Sequence, residues 1–296
     1  MKRSRLATAA LIACGVLLAL VILLPFLWAL SASLQTELAL FRRPPDWTPN
    51  PPSLENYLYV FTGQVPNAYN VRGLLRSPIT QEARVLPIGL MNSLEVALSV
   101  VTVNLVLGTL ASYTFARERF RGRETAYLFI LGSRLLPAMA VAIPIFLIIK
   151  ALDLLDTKIG LVLIYSAFTL PFTIWVLTLY FRSLPKDIEE AAMVDGCNRF
   201  DALRHVVLPL AAPGLAAIGA FSFLFSYDEF VFALFTTSST SSKTVPVMIA
   251  AISVNPDASY TLIAVGIVLS VLAPIALALV FRRFITSGLV ASMGRS

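Results

Sequence analysis

Arg134, Asp228 and Glu229 lie inside long stretches that are otherwise Leu, Ile, Val, Ala and Phe. Charge in such surroundings is expensive and persists where it faces a cavity, a water-filled path or an opposite charge. Arg134 is placed to form an intramembrane ion pair with Asp228 or Glu229, linking two helices. Phe221, Phe225, Asp228, Phe232 and Phe235 recur at intervals of 4, 3, 4 and 3, so a continuous helix sets a carboxylate among aromatic rings on one face. That face, with Phe225, Asp228, Glu229 and Phe232 at its centre, suits hydroxyl recognition and ring stacking along a translocation path. It suits equally the packing of one helix on another.

A second concentration of polar residues, Arg182 to Ala212, reads as two short helices. Pro185 fits a first turn, and Asp187, Glu189 and Glu190 face the positive end of the helix dipole. Gly196 is a natural left-handed terminator, giving a first helix of about 11 residues, or roughly 16 Å. Asn198 can cap a second helix, with Asp201 three residues on, and Pro209 is expected to stop it. Nothing in the chain resembles a nucleophile triad or a carboxylate pair set for catalysis, and no Gly-x-x-x-x-Gly-Lys-Ser/Thr phosphate loop occurs. His205 is the only histidine and is given no chemistry. Cys14 and Cys197 fall in different environments, so neither a metal site nor a disulfide is expected.

The elements that carry these residues follow from composition. Of 296 residues, 57% are hydrophobic and 14% charged, with mean hydropathy +0.80, too apolar for a water-solvated globule. A bilayer core of about 30 Å needs roughly 20 apolar residues per helix. Six stretches qualify: approximately Leu6 to Leu30, Ile88 to Phe115, Ala126 to Ile149, Ile159 to Phe181, Pro213 to Phe235 and Tyr260 to Phe281. Lipid offers no partner to backbone polar groups, so an all-α integral membrane protein with six transmembrane helices is predicted. Pro137, Pro144 and Pro171 are expected to interrupt or kink their spans. The first stretch follows Lys2, Arg3 and Arg5 but is about twice a signal-peptide core and lacks a clear cleavage site, so it reads as an uncleaved span.

With the N-terminus inside, cytoplasmic segments hold 14 of the 23 basic residues, among them Lys2, Arg117, Arg182 and Arg295. The external segments hold Arg42, Arg43, Arg72, Arg76, Arg84, Lys150, Lys158 and Lys243. Both termini are therefore expected in the cytoplasm. The net charge of +6 is dispersed over loops beside spans and marks topology, with no face for nucleic acid. The chain divides into residues 1–30 (N-terminus and first span), 31–86 (extracytoplasmic) and 87–296 (core, with loop 182–212 and tail 282–296). The extracytoplasmic part opens on prolines and should form a short helix capped by Ser53 and ended by Gly63 and Pro66.

Glu190-Ala191-Ala192, three residues, Gly196, nine residues and Val206-Val207-Leu208-Pro209 resemble the EAA motif of permease subunits in bacterial ATP-binding-cassette importers. Val206 stands where that family commonly has isoleucine. The likeness extends through Leu54-Glu55-Asn56-Tyr57, Asn92-Ser93-Leu94, Tyr113, Ala116-Arg117, Phe120-Arg121-Gly122, Leu170-Pro171-Phe172 and Asp228-Glu229-Phe230. It is similar to the six-span subunit of maltose-transporter-type carbohydrate permeases, although Gly63 to Leu86 is longer and more polar than in that group. The resemblance implies a type I importer fold, a five-helix core plus an N-terminal span, in a bacterial inner membrane. It implies a heterodimeric pore with a second permease subunit, two ATP-binding-cassette ATPase subunits and an extracytoplasmic binding protein. It assigns Glu189, Glu190, Ala191, Ala192, Asp195, Gly196, Leu208 and Pro209 to a coupling loop docked on the ATPase. ATP and magnesium then belong to the ATPase; this chain binds no cofactor and is not an enzyme. The substrate class implied is a sugar, oligosaccharide or polyol. The tail at Ser287-Gly288-Leu289 is similar to one that reaches towards the ATPases. Read from the intramembrane charges alone, an ion-coupled carrier or channel working without an ATPase is the alternative.

Overall fold

The apolar runs fold as helices in a computed structural model that describes residues 5–44, 46–65, 81–255 and 259–293, with side chains described at 11–44, 46–65, 83–255 and 259–282. Lys2, Arg3, Pro66, Arg72, Arg76 and Arg295, used above, lie outside the described residues. Helices α1 (Arg5–Ser33), α4 (Leu86–Arg117), α7 (Lys158–Ser183), α10 (Leu208–Asp228) and α13 (Tyr260–Met293) carry the long apolar segments. Five helices, among the described residues, are long and apolar enough to cross a membrane, and a bent pair, counted as one span, brings the number to six. Helix α13 extends through Met293, so the tail is drawn into that helix, the side chains of its Ser287-Gly288-Leu289 being outside the description.

The expected third span, Ala126 to Ile149, is that bent pair. Helix α5 (Arg123–Gly132) passes through a 3₁₀ turn at Ser133–Leu135, the chain extends at Leu136, and α6 (Ala138–Ala151) leaves at 103°. Pro137 explains the break, because a residue before proline is driven out of the helical region. Pro144 and Pro171, expected to interrupt or kink their spans, lie inside α6 and α7, which continue past them.

The chain forms two compact units. The first holds the described residues up to Pro87 together with Met248–Leu272. There α3 (Glu55–Thr62) ends at Gly63, whose φ of +76° is a left-handed terminator, as expected. Ser53 contributes an acceptor to Glu55 N–H at 3.2 Å, while the N-cap position itself is Leu54. Asn56 donates to the carbonyls of Ser33 (3.0 Å) and Gln35 (2.8 Å), tying α3 to the end of α1. The Glu37 carboxylate, in α2 (Glu37–Leu40), accepts the N–H groups of Tyr260 and Thr261 and the Ser259 hydroxyl. A remote acid thus caps α13 where its dipole is positive.

The second unit holds the described residues of Ile88–Val247 and those from Ala273 onward, and contains the core built on α4, α7 and α10. Val96, Val100, Leu161, Ile164 and Phe232 pack at one end of α7, and Leu177, Phe181, Leu203, Val207 and Ile218 at the other. Between them Asn104, fully buried, donates to Thr169 Oγ1 (2.6 Å) and Ser222 Oγ (2.9 Å), joining α4, α7 and α10. Interhelical polar contacts of this kind hold helices together in lipid, where apolar faces gain nothing by leaving one oily solvent for another. Gly108 permits the α4–α7 approach, since a Cβ there would collide with Thr173 Cγ2.

Candidate functional site

The polar loop forms α8 (Asp187–Val194), a corner at Gly196 and α9 (Arg199–Ala202). Lys186 occupies the N-cap, so α8 has 8 residues, about 12 Å, and starts later than Pro185 had led us to expect. The corner is closed by Gly196 N–H to Met193 O (3.2 Å) and Cys197 N–H to Ala192 O (3.0 Å), with φ of +97° at Gly196. Asn198 Oδ1 accepts Asp201 N–H at 2.9 Å, the predicted cap.

Pro209 does not stop the second helix. Residues Leu203–Val207 form a π turn, with Leu208 N–H bonded to Leu203 O, and α10 begins directly at Leu208. Proline in a helix removes one i to i−4 bond and crowds the carbonyl of i−4. The widened turn shifts the bonding to i−5 just before Pro209, so the chain continues from Arg199 to Asp228 as one apolar helical segment. The loop's second half is therefore the foot of a membrane span.

Adjacent glutamates in α8 part ways, as residues one apart on a helix point about 100° from each other. Glu189 turns inward and is buried. Its carboxylate takes a salt bridge and a 2.7 Å hydrogen bond from Arg117 and a 3.1 Å bond from the Tyr113 hydroxyl. Arg117 also donates to Leu184 O at 3.2 Å. Glu118 and Arg199 form a second, exposed ion pair between the end of α4 and α9. Both charge pairs fix the loop to α4. Glu189, assigned above to the ATPase surface, is thus engaged inside its own chain. Glu190, Ala191, Asp195 and Gly196 stand exposed, with Ala192 half-buried, and Val194 is 87% exposed beside them. Leu208 is half-buried and Pro209 exposed on the continuous helix. The resemblance had put Tyr113 and Arg117 on the page, but the basic residue had been read only as a topology signal.

The intramembrane charges are arranged differently from expectation. Arg134 lies in the 3₁₀ turn, exposed, with its guanidinium 5.0 Å from the Phe172 ring centre. Among the described residues it makes no ion pair with Asp228 or Glu229. The proposed continuous stripe is broken because α10 ends at Asp228 and Glu229 is extended. Asp228 is exposed, and Glu229 caps α11 (Val231–Thr236) by accepting Phe232 N–H (3.0 Å) and Ala233 N–H (3.3 Å). Phe232 is buried against Phe168, ring centres 4.8 Å apart, whereas Phe225 stays beside Phe221 on α10. A capping carboxylate in sequence looks the same as a path-lining one; only the helix break separates them.

At the opposite end of α7 is a polar clamp that sequence reading missed. Asp156 Oδ1 accepts the N–H groups of Ser238 (2.8 Å) and Ser239 (2.9 Å) and the hydroxyl of Ser242. Burial alone would raise this carboxyl, and the three serine donors outweigh it, holding it well below the usual carboxylate range. Asn92 donates to Thr240 O and Lys243 O, each at 2.9 Å, and Ser93 accepts Val245 N–H. The signal in the sequence was the run Ser238-Ser239-Thr240-Ser241-Ser242, which names donors without naming their acceptor.

Comparison with known proteins adds the family. The profile described as binding-protein-dependent transport system inner membrane component matches residues 104–287. The chain is 32% identical to the sulfoquinovosyl glycerol transport system permease SmoH of Agrobacterium fabrum, over 91% of this chain and 87% of that protein. It is likewise 32% identical to the trehalose/maltose transport system permease MalG of Thermococcus litoralis, over 94% and 93%. In fold it is similar to a chain of a bacterial ABC transporter involved in import of the acidic polysaccharide alginate, with TM-score 0.74, 22% identity, and coverage of 96% of this chain and 99% of that one.

Proposed function

Because this chain belongs to the family of binding-protein-dependent transport system inner membrane components, an ABC importer permease, we propose that it carries a carbohydrate inward as half of a two-permease pore driven by separate ATPases. The observation that carries this reading is the loop surface: Glu190 stands exposed on α8 while its neighbour Glu189 is locked to Arg117. An internally braced helix that presents exposed carboxylates suits docking in a basic cleft of an ATPase subunit, where a charge-assisted bond is worth roughly 1.5–3 kcal/mol. Continuity from Arg199 to Asp228 then passes a displacement of the docked loop straight into a span.

In this reading a second permease subunit completes the pathway, two ATP-binding-cassette subunits hold ATP and magnesium, and an extracytoplasmic protein delivers the sugar. Both termini and the coupling loop face the cytoplasm, and the chain catalyses no reaction itself. The names of relatives, a trehalose/maltose permease and a sulfoquinovosyl glycerol permease, support a glycoside of small size as cargo. The ion-coupled alternative drew on Arg134, Asp228 and Glu229, which pair with none of each other among the described residues.

The test is uptake of labelled trehalose and maltose into proteoliposomes holding the co-purified complex and its binding protein. Uptake that needs ATP on the coupling-loop side supports the reading. Uptake by this chain alone, driven by a proton or sodium gradient, overturns it.

A further inference from the structure

An apolar groove of about 450 Å³ opens between α4 and α10 beside the polar loop. Its lining includes Leu105, Val106 and Leu110 on one helix, Leu208 and Leu215 on the other, and Arg204 of the polar loop. Leu110 lies seven residues before Arg117, roughly 11 Å from the end of α4, and Leu208 opens α10, so the groove sits at the depth where span gives way to loop. Val106 and Leu110 are about half exposed to whatever surrounds the span.

Among the described residues, Arg204 is the one basic residue that lines the groove. Arg117, Arg123 and Arg199, at the same end of the helices, each have a carboxylate partner. No carboxylate lies within ion-pair distance of Arg204 among the described residues, and none lines the groove. An uncompensated guanidinium at the mouth of an oily slot, at the membrane boundary, complements an acyl chain attached to an anionic headgroup. A chain from a partner subunit would have to bring both an apolar ridge and its own acid to do as well.

We infer that this groove is a binding site for an anionic phospholipid, with an acyl chain against Leu105, Val106 and Leu215 and the headgroup phosphate on Arg204. The lipid seats beneath the π turn that joins the coupling loop to α10, so headgroup charge in that leaflet bears on the loop's footing.

The test uses the full-length chain with Trp28, Trp47 and Trp175 replaced by Phe and a reporter introduced as Leu110→Trp. It is reconstituted in phosphatidylethanolamine vesicles containing one-fifth phosphatidylglycerol, with dibrominated chains on one lipid or the other. Brominated phosphatidylglycerol is expected to quench the reporter roughly fivefold more efficiently per molecule, the worth of about one surface charge. Arg204→Gln is expected to equalise the two lipids and Arg204→Lys to retain the preference. The preference is expected to persist when the chain is co-purified with its ATPase and partner permease. Equal quenching by both lipids in the reporter protein, a preference that survives Arg204→Gln, or quenching lost on assembly each overturns the proposal, the last by showing that protein fills the groove. Transport plays no part in the readout, so failure here leaves the importer reading standing.

Discussion

Arg117 and Glu189 are buried together, and removing one leaves the other charged in a low-dielectric site. Losing one partner of such a pair costs about 3–5 kcal/mol. Arg117→Ala should therefore lower the thermal midpoint of the purified chain by several degrees, whereas Glu190→Ala, which truncates an exposed side chain, should leave it unchanged; differential scanning fluorimetry in detergent reads both. Asp156 gives a pH signature. Its folded-state pKa is depressed, so its contribution is full above the unfolded value of about 4 and declines as pH falls from there through the folded one. The midpoint gap between the wild-type chain and Asp156→Asn should be largest near pH 7 and shrink by pH 3; a gap that grows on acidification refutes the clamp. The charged residues were visible in the sequence, but their partners were not. Glu189 meets Arg117 across 72 positions and Asp156 meets Ser242 across 86, separations at which no local period carries information.

Apolar run length located α4 and α7 to within two residues at each end and the start of α13, although α13 continues past Phe281 to Met293. It failed where backbone geometry overrode composition. The run through Phe235 is mostly apolar and charged only at Asp228 and Glu229, yet Glu229 extends to cap α11, and the π turn before Pro209 lets a helix continue where proline alone predicts a stop. Gly108 was likewise unremarked, since its need for close approach arises only once α7 lies against α4. Gly108→Ala should force those helices apart and destabilise the chain by about 1–3 kcal/mol. Adding Thr173→Ser, which removes the colliding methyl, should restore most of the lost thermal midpoint. An unchanged midpoint in the single variant would mean that the two helices do not pack as described.

At the scale of the molecule, the proposed function makes the exposed, internally braced loop the place where work enters. The family supplies the importer, and the lever we propose consists of α8 anchored through Glu189, a turn at Gly196, and a foot continuous with α10. Proline fixes φ near −65° and cannot take the +97° of Gly196, so Gly196→Pro should disrupt the corner and abolish uptake without removing any side-chain contact. The most direct measurement of the central claim is capture of the ATPase subunit by the detergent-solubilised chain carrying Glu190→Ala, compared with wild type at equal thermal stability. Loss of one charge-assisted contact predicts affinity weakened roughly tenfold or more, with ATP-dependent uptake falling in step. Undiminished capture together with undiminished uptake would contradict the account.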